Sequence, residues 1–305
     1  MPRPADGPVD HAQPDWVERP ERSNLLALRL IVWVAMALGR PAARLLLYPI
    51  TLYYLVFSPQ ARAASRQYLG KVLGRKPGLA DAFRHYHSFA SVLLDRTFLL
   101  NGQFSRFDVR VHGVEIVEEM MAGGNGCVLL GAHLGSFEIT RCEGRTRGYK
   151  VSMLMYEDNA RKVGAVLRAI NPGLDMEIIP LGRLDAMLKV EAALARGEVV
   201  GMLADRTLND ADTIRCPFFG EPARFPTGPF RIAIMLNRPM ALLFGVYRGG
   251  NRYDIHVERF AEPGELRDGA RAAAVDRLAR RYAGRLEHYC RLAPYNWFNF
   301  YDFWR

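Results

Sequence analysis

The hydrophobic pattern divides the chain into three stretches. Residues 1–24 are polar and Pro-rich, with no short basic start followed by an apolar run, so no cleavable signal peptide is expected. From Leu25 to Phe57 the chain turns apolar in two halves, Leu30 to Leu38 and Leu45 to Phe57, separated by Gly39, Arg40, Pro41 and Arg44. Neither half reaches the roughly 20 uncharged residues of a spanning helix. The Arg-rich break and the aromatics Trp33, Tyr48, Tyr53 and Tyr54 suit two apolar helices resting at a membrane interface, with buried core helices as the other reading. Past Pro59 the pattern becomes basic and amphipathic (Arg62, Arg66, Lys71, Arg75, Lys76), a face that is either solvated or set on anionic headgroups. Helical spacing then predicts a helix over Leu79 to Leu100, in which His85 and His87 read as packing or surface residues.

Beyond residue 106 short β-rich runs alternate with helical ones. Strands are predicted at Phe107 to His112, Cys127 to Gly131, Val151 to Tyr156, Met176 to Ile179, Val199 to Leu203, Ala241 to Tyr247 and Tyr253 to Val257. Helices are predicted at Val114 to Met121, Ser136 to Arg145, Asn159 to Ile170, Leu184 to Arg196, Pro229 to Leu236 and Ala270 to Arg291. This alternation implies an α/β fold with a mainly parallel mixed sheet covered by helices, its most apolar strands central. The expected organisation is a polar tail over 1–24, a helical membrane-associated segment over 25–100 and an α/β domain over 101–305.

Composition narrows the partners. The 305 residues carry 41 basic and 32 acidic side chains, a net charge of +9 that favours an acidic partner such as anionic lipid, nucleic acid or an acidic carrier protein. No nucleic-acid recognition motif is present, so nucleic acid is the weakest of these. The four cysteines have no C-x-x-C spacing, which indicates neither a zinc cage nor a disulfide scaffold. No cofactor and no metal are expected.

The segment Cys127-Val-Leu-Leu-Gly-Ala-His133-Leu-Gly-Ser-Phe-Glu138 carries the chemistry. An apolar strand delivers His133 at its carboxyl end, the ligand-binding edge of open α/β sheets. With seven histidines and 32 acidic residues, a chance match at this spacing is expected, so spacing alone carries little. On one continuous helix His133 and Glu138 would point about 140° apart. His133 therefore precedes the helix, with a bend at Gly135 bringing Glu138 to its ring. A carboxylate on one imidazole nitrogen fixes the tautomer and supports the cation formed when the other takes a proton. No G-x-S-x-G elbow surrounds Ser136, which reads as a helix cap.

These residues resemble the His-x4-Asp/Glu block of glycerolipid and lipid A acyltransferases, most closely the late lipid A branch. There His-(Phe/Leu)-Gly-(Asn/Ser)-(Trp/Phe)-Glu is usual. Gly201-Met-Leu-Ala-Asp205-Arg206 and Cys216-Pro-Phe-Phe-Gly220 are similar to further segments of that branch, and the likeness covers roughly residues 25 to 260. The resemblance implies transfer of a fatty acyl group from acyl carrier protein to a hydroxyl of a lipid acceptor, at the cytoplasmic face of the inner membrane. It makes His133 and Glu138 catalytic, with Glu138 holding the ring. Oxyanion donors are left between backbone N–H groups around Gly135 and a guanidinium.

Asp205 and Arg206 are read as substrate-binding, with Arg206 gripping a phosphate or carboxylate, or else as a structural ion pair. Phe218, Phe219 and Gly220 either shape an acyl or acceptor pocket or form a core turn. Arg141, Arg145, Arg147 and Lys150 either contact acyl carrier protein or are solvated. The ending from Pro294 to Arg305 stops on a single Arg and not on the usual terminal Arg-Lys pair. Together with the opening at Arg19 to Asn24 it looks more like acyltransferases of aryl polyene or related pigment-lipid pathways. The aromatic tail either closes the core or lines the acceptor site. A non-catalytic membrane-associated scaffold is the reading from another class.

Overall fold

The computed structural model describes residues 25–171, 173, 177–182, 185–206, 212–266 and 270–305. The polar tail over 1–24, and the predicted element starts at Met176 and Leu184, lie outside these residues. Among the described residues three helices come first: α1 (Leu25–Phe57), α2 (Pro59–Leu73) and α3 (Leu79–Leu100). An alternating series follows: β1 (Asp108–His112), α4 (Val114–Met121), β2 (Val128–Gly131), α5 (Phe137–Thr146), β3 (Val151–Tyr156), α6 (Glu157–Ile170), β4 (Ile178–Leu181), α7 (Ala186–Ala195) and β5 (Val199–Leu203). The chain closes with β6 (Thr213–Phe218), β7 (Glu221–Pro226), α8 (Gly228–Leu236), β8 (Met240–Tyr247), β9 (Arg252–Ala261), α9 (Pro263–Leu266) and α10 (Arg271–Leu292).

Seven strands form one sheet in the order β1-β9-β8-β2-β5-β3-β4. Only β8 and β9 pair antiparallel, so five strands run one way and β1 and β9 run the other. The fold is therefore α/β with a mainly parallel sheet covered by helices. Its centre is where the sequence is most apolar: every residue of β2 is buried, as is nearly all of β5, because a parallel strand is covered on both faces.

The hairpin of β6 and β7 is a separate two-stranded sheet that the hydrophobic pattern did not reveal. Pro217, Pro222 and Pro226 break the strand signature, a tolerable composition in a ribbon that lacks neighbours on both sides. Phe219 and Gly220 are its two turn residues, both with positive φ (54° and 80°), as a two-residue primed turn requires.

Helix α1 breaks at Gly39, which departs from helical backbone geometry at the boundary read from sequence. Arg40 in this break is not a surface anchor. It is buried and donates from Nε and Nη2 to the Asp95 carboxylate of α3 at 2.7 and 2.9 Å, and Tyr253 of β9 donates to the same carboxylate at 2.8 Å. The pair fixes the kinked helix to α3 and to the sheet. Elsewhere α1 leaves much apolar surface open, with Trp33, Leu38, Leu45 and Phe57 all 60% or more exposed. Among the described residues no helix is long and apolar enough to cross a membrane.

Removing one member of a buried ion pair strands the other charge, typically at about 3–5 kcal/mol. Arg40→Ala is expected to lower unfolding stability by that order, whereas Arg40→Met combined with Asp95→Leu should recover most of the loss. Chemical denaturation of the two variants and the wild type checks this, and equal destabilisation by both would refute it.

Candidate active site

Strands β2 and β5 pair in parallel with Gly131 opposite Leu203. Two residues past each of these partners stand His133 and Asp205, so register alone sets them side by side. The Asp205 carboxylate is fully buried and accepts three hydrogen bonds. The His133 ring donates from Nδ1 to Oδ1 at 2.9 Å, the His133 backbone N–H donates to Oδ2 at 2.9 Å, and Trp297 Nε1–H donates to Oδ2 at 3.0 Å. The His133 side chain is 35% exposed, and among the described residues its Nε2 meets no hydrogen-bond partner.

The partner of the His133 ring is thus Asp205, and the expectation that Glu138 reaches it is corrected. Gly135 does bend the chain (φ 67°), and Ser136 does cap α5 by accepting from the Ile139 N–H at 3.2 Å. The bend, however, turns Glu138 onto α3, where its carboxylate pairs with Arg96 at 2.5 Å. Gly135 lies so close to β8 that a Cβ there would stand 1.9 Å from the Gly245 carbonyl oxygen, so only glycine fits.

Asp205 is likewise not free to bind a substrate, being committed to His133 and Trp297. Nor do Asp205 and Arg206 form a direct ion pair. Arg206 donates from Nη2 to the Phe298 carbonyl at 2.7 Å and lies over the Tyr301 ring, and its buried Nε meets no partner among the described residues. The N–H groups of Gly135 and Ser136 donate to Asn296 and Gly245 carbonyls. With His133 N–H held by Asp205, these local amides are occupied, which leaves Arg206 and Arg96 as the nearby cations.

Electrostatics set the protonation states. Burial pushes the His133 ring below its ordinary value and Arg206 and Arg96 add to this, while Asp205 opposes it. Burial alone would raise Asp205, but the His133 ring, Arg206 and Trp297 outweigh it and hold the carboxyl at about 2. The resting site is a neutral imidazole with Nδ1–H on an ionised carboxylate and a lone pair on Nε2.

The sequence places Trp297 in an aromatic tail that closes the core or lines the acceptor site, and His85 among packing or surface residues, but it does not reveal that they support the Asp205 carboxylate. Trp297 is fully buried, and the tail runs against the end of β2 like a short strand, Phe298 N–H donating to His133 O at 2.8 Å. His85, also fully buried, donates from Nε2 to the Trp297 carbonyl at 2.8 Å while its Nδ1 accepts from Ser65 at 2.9 Å. The one sequence signal was the density of aromatics after Pro294.

Phe218 is buried against Trp297, ring centres 5.4 Å apart, and Phe219 N–H donates to Glu287. Phe218 thus packs in the core against Trp297, whereas Phe219 is half-buried and Gly220 stands exposed at the hairpin turn. Of the basic set, Arg141 is buried and offers no docking surface. Arg147 pairs with Glu118 and Glu143, Lys150 with Glu177 and Glu198, and Arg145 stays exposed.

The fold thus brings a histidine and a buried carboxylate together at neighbouring strand ends. Residues 28–305 match the bacterial lipid A biosynthesis acyltransferase family, and the chain belongs to it. The protein is an acyltransferase of that family. Comparison with curated proteins gives no match.

Burial lowers His85 to about 4, although its bond to the Trp297 carbonyl acts the other way. A folded-state value below the unfolded one means the unfolded chain binds more protons between about pH 6.5 and 4. Stability present above pH 6.5 is therefore lost as pH falls through that window, on the order of 3 kcal/mol from this residue. His85→Gln should flatten the dependence of stability on pH between 6.5 and 4, read by denaturant unfolding at several pH values. An unchanged slope would refute the assignment.

Proposed function

We propose that the protein moves a fatty acyl group from an acyl carrier protein thioester to a hydroxyl of a lipid acceptor at the cytoplasmic face of the inner membrane, with His133 as general base. The single observation that carries the mechanism is an Nε2 with no partner among the described residues, on a ring whose Nδ1–H is committed to Asp205. The acceptor hydroxyl gives its proton to Nε2 as its oxygen attacks the thioester carbonyl. The tetrahedral oxyanion then collapses, the carbon–sulfur bond breaks, and the imidazolium protonates the departing thiolate. Asp205 fixes the tautomer and supports the imidazolium. Arg206 and Arg96 supply positive charge for the oxyanion. Glu138 acts through Arg96, as a positioning residue.

Support for the acidic carrier protein is the net charge of +9. Support for attachment to an anionic membrane surface is the exposed apolar side of α1. The acceptor reading is helped by a cleft of about 470 Å³ beside Tyr48, lined by Arg44, Arg84 and Arg248 and, from the tail, Asn296. These cations suit a phosphorylated lipid. An aryl polyene or related pigment-lipid acceptor is the second reading, favoured by the tail sequence.

Purified protein supplied with acyl carrier proteins loaded with several chain lengths and a total lipid extract should yield an acylated lipid, identified by mass spectrometry. His133→Ala should lower the rate about 10²–10⁴-fold, and Asp205→Asn by a comparable factor through loss of the correct tautomer. Glu138→Gln should cost less than Asp205→Asn, and the reverse order would return the ring partnership to Glu138. Because the base must be neutral, kcat/KM should fall on the acid side with a midpoint below the ordinary histidine value of about 6.5, and a midpoint above it would contradict the environment described.

Attachment is checked separately. Vesicle co-sedimentation of the wild type should be strong, and Leu45→Glu with Leu52→Glu should weaken it without changing the fold by circular dichroism. Equal sedimentation of both would exclude α1 as the attachment surface.

A further inference from the structure

Far from His133 in the sheet order, the outer edge of the sheet brings two histidines and an aspartate together. Strands β1 and β9 pair in parallel with His112 beside His256 and Arg110 beside Asp254. Asp254 and His256 are two residues apart on one strand, so they share a face of the sheet with His112. The imidazole rings of His112 and His256 lie nearly parallel, 14° apart, with centres 4.8 Å from each other. One donor atom from each ring and one Asp254 oxygen all lie within 4.8 Å of one another.

Two observations set this group apart from ordinary edge-strand polarity. The Nε2 of His256 is buried and, among the described residues, has no hydrogen-bond partner. The Asp254 carboxylate is oriented from behind by Arg248, whose Nε lies 3.0 Å from one oxygen. A carboxylate held in this way by an outer partner is the usual support of a metal ligand.

We propose that His112, Asp254 and His256 bind a divalent transition metal ion, Zn²⁺ being the best fit, and that the ion clips the edge strand β1 to β9. Two imidazoles and one carboxylate suit zinc, nickel or copper rather than magnesium or calcium, which prefer all-oxygen sets. Zinc bonds of about 2.0–2.2 Å place tetrahedral donors roughly 3.3 Å apart. Side-chain rotation at this partly exposed edge brings the three donors in, and water takes the fourth position. The guanidinium groups of Arg110 and Arg248 oppose a dication, so the affinity is modest and the role is structural.

The test uses the full chain, freed of metal with a chelator and then titrated with Zn²⁺ by calorimetry. The wild type should bind one equivalent that raises its melting temperature. His112→Ala and His256→Ala should each weaken that binding by at least about 10-fold and leave acyl transfer unchanged. With Cu²⁺ as probe, electron paramagnetic resonance should register two imidazole nitrogens in the wild type and one in each single variant. Zn²⁺ binding by the wild type no tighter than by the variant carrying both His112→Ala and His256→Ala would overturn the proposal, as would a Cu²⁺ spectrum unchanged by either substitution.

Discussion

A carboxylate with no solvent contact must find donors for both of its oxygens or lose its charge. Asp205 finds three of them: a ring N–H, a backbone N–H from the same residue, and an indole N–H from the far end of the chain. Everything else about the site follows from meeting that demand. The two-point grip by His133 fixes both the position of its backbone and the plane of its ring. The indole bond makes the carboxyl-terminal tail part of the site, although Trp297 lies 92 positions from Asp205 in sequence. Because the charge is satisfied, it persists at low pH, and the adjacent imidazole keeps one defined tautomer.

The bond from Trp297 is held in turn from the opposite side. His85 donates to the Trp297 carbonyl and receives a hydrogen bond from Ser65, which ties α2 and α3 to the tail. Phe218 of the hairpin, Tyr68, Phe303 and Trp304 pack their rings around the indole. The amino-terminal helices therefore serve two ends of one arrangement. Their outer surface on α1 is apolar and open, while their inner surface fixes, through one aromatic residue, the carboxylate that orients His133. Losing the tail would leave Asp205 buried with a missing donor, a larger disturbance than the loss of surface aromatics.

Much of this was legible in the sequence, and the limits have physical causes. The apolar strand, the histidine at its carboxyl end, the bend at Gly135 and the cap at Ser136 are local features, set by residues within a few positions of each other. All four appear in the structure as read. The partner of His133 is not local. Its choice depends on the β2–β5 register, which pairs residues 72 positions apart, and the nearby Glu138 offers a plausible but different answer. Arg141 was read as a surface cation because helix α5 is short and mostly polar, yet it occupies the inward face. The β6–β7 hairpin escaped because its three prolines and charged residues hide the alternation, and the kink at Arg40 looked like a membrane anchor because its partner, Asp95, lies in another helix.

The placement of Arg96 and Arg206 has a cost that clarifies the role of Asp205. Both cations depress the affinity of His133 for a proton, and burial does the same. Such an environment keeps the ring neutral and ready to accept, but it also disfavours the imidazolium that forms on acceptance. Positive charge near the reacting carbonyl is nevertheless what a developing oxyanion needs. In the proposed mechanism cations beside the base must therefore be compensated, and an ionised carboxylate on the opposite nitrogen does so without screening the oxyanion side. The depth at which Asp205 is buried matters here, since the same pair in water would interact only weakly. The full burial of the carboxylate and the partial exposure of the ring are two sides of one requirement.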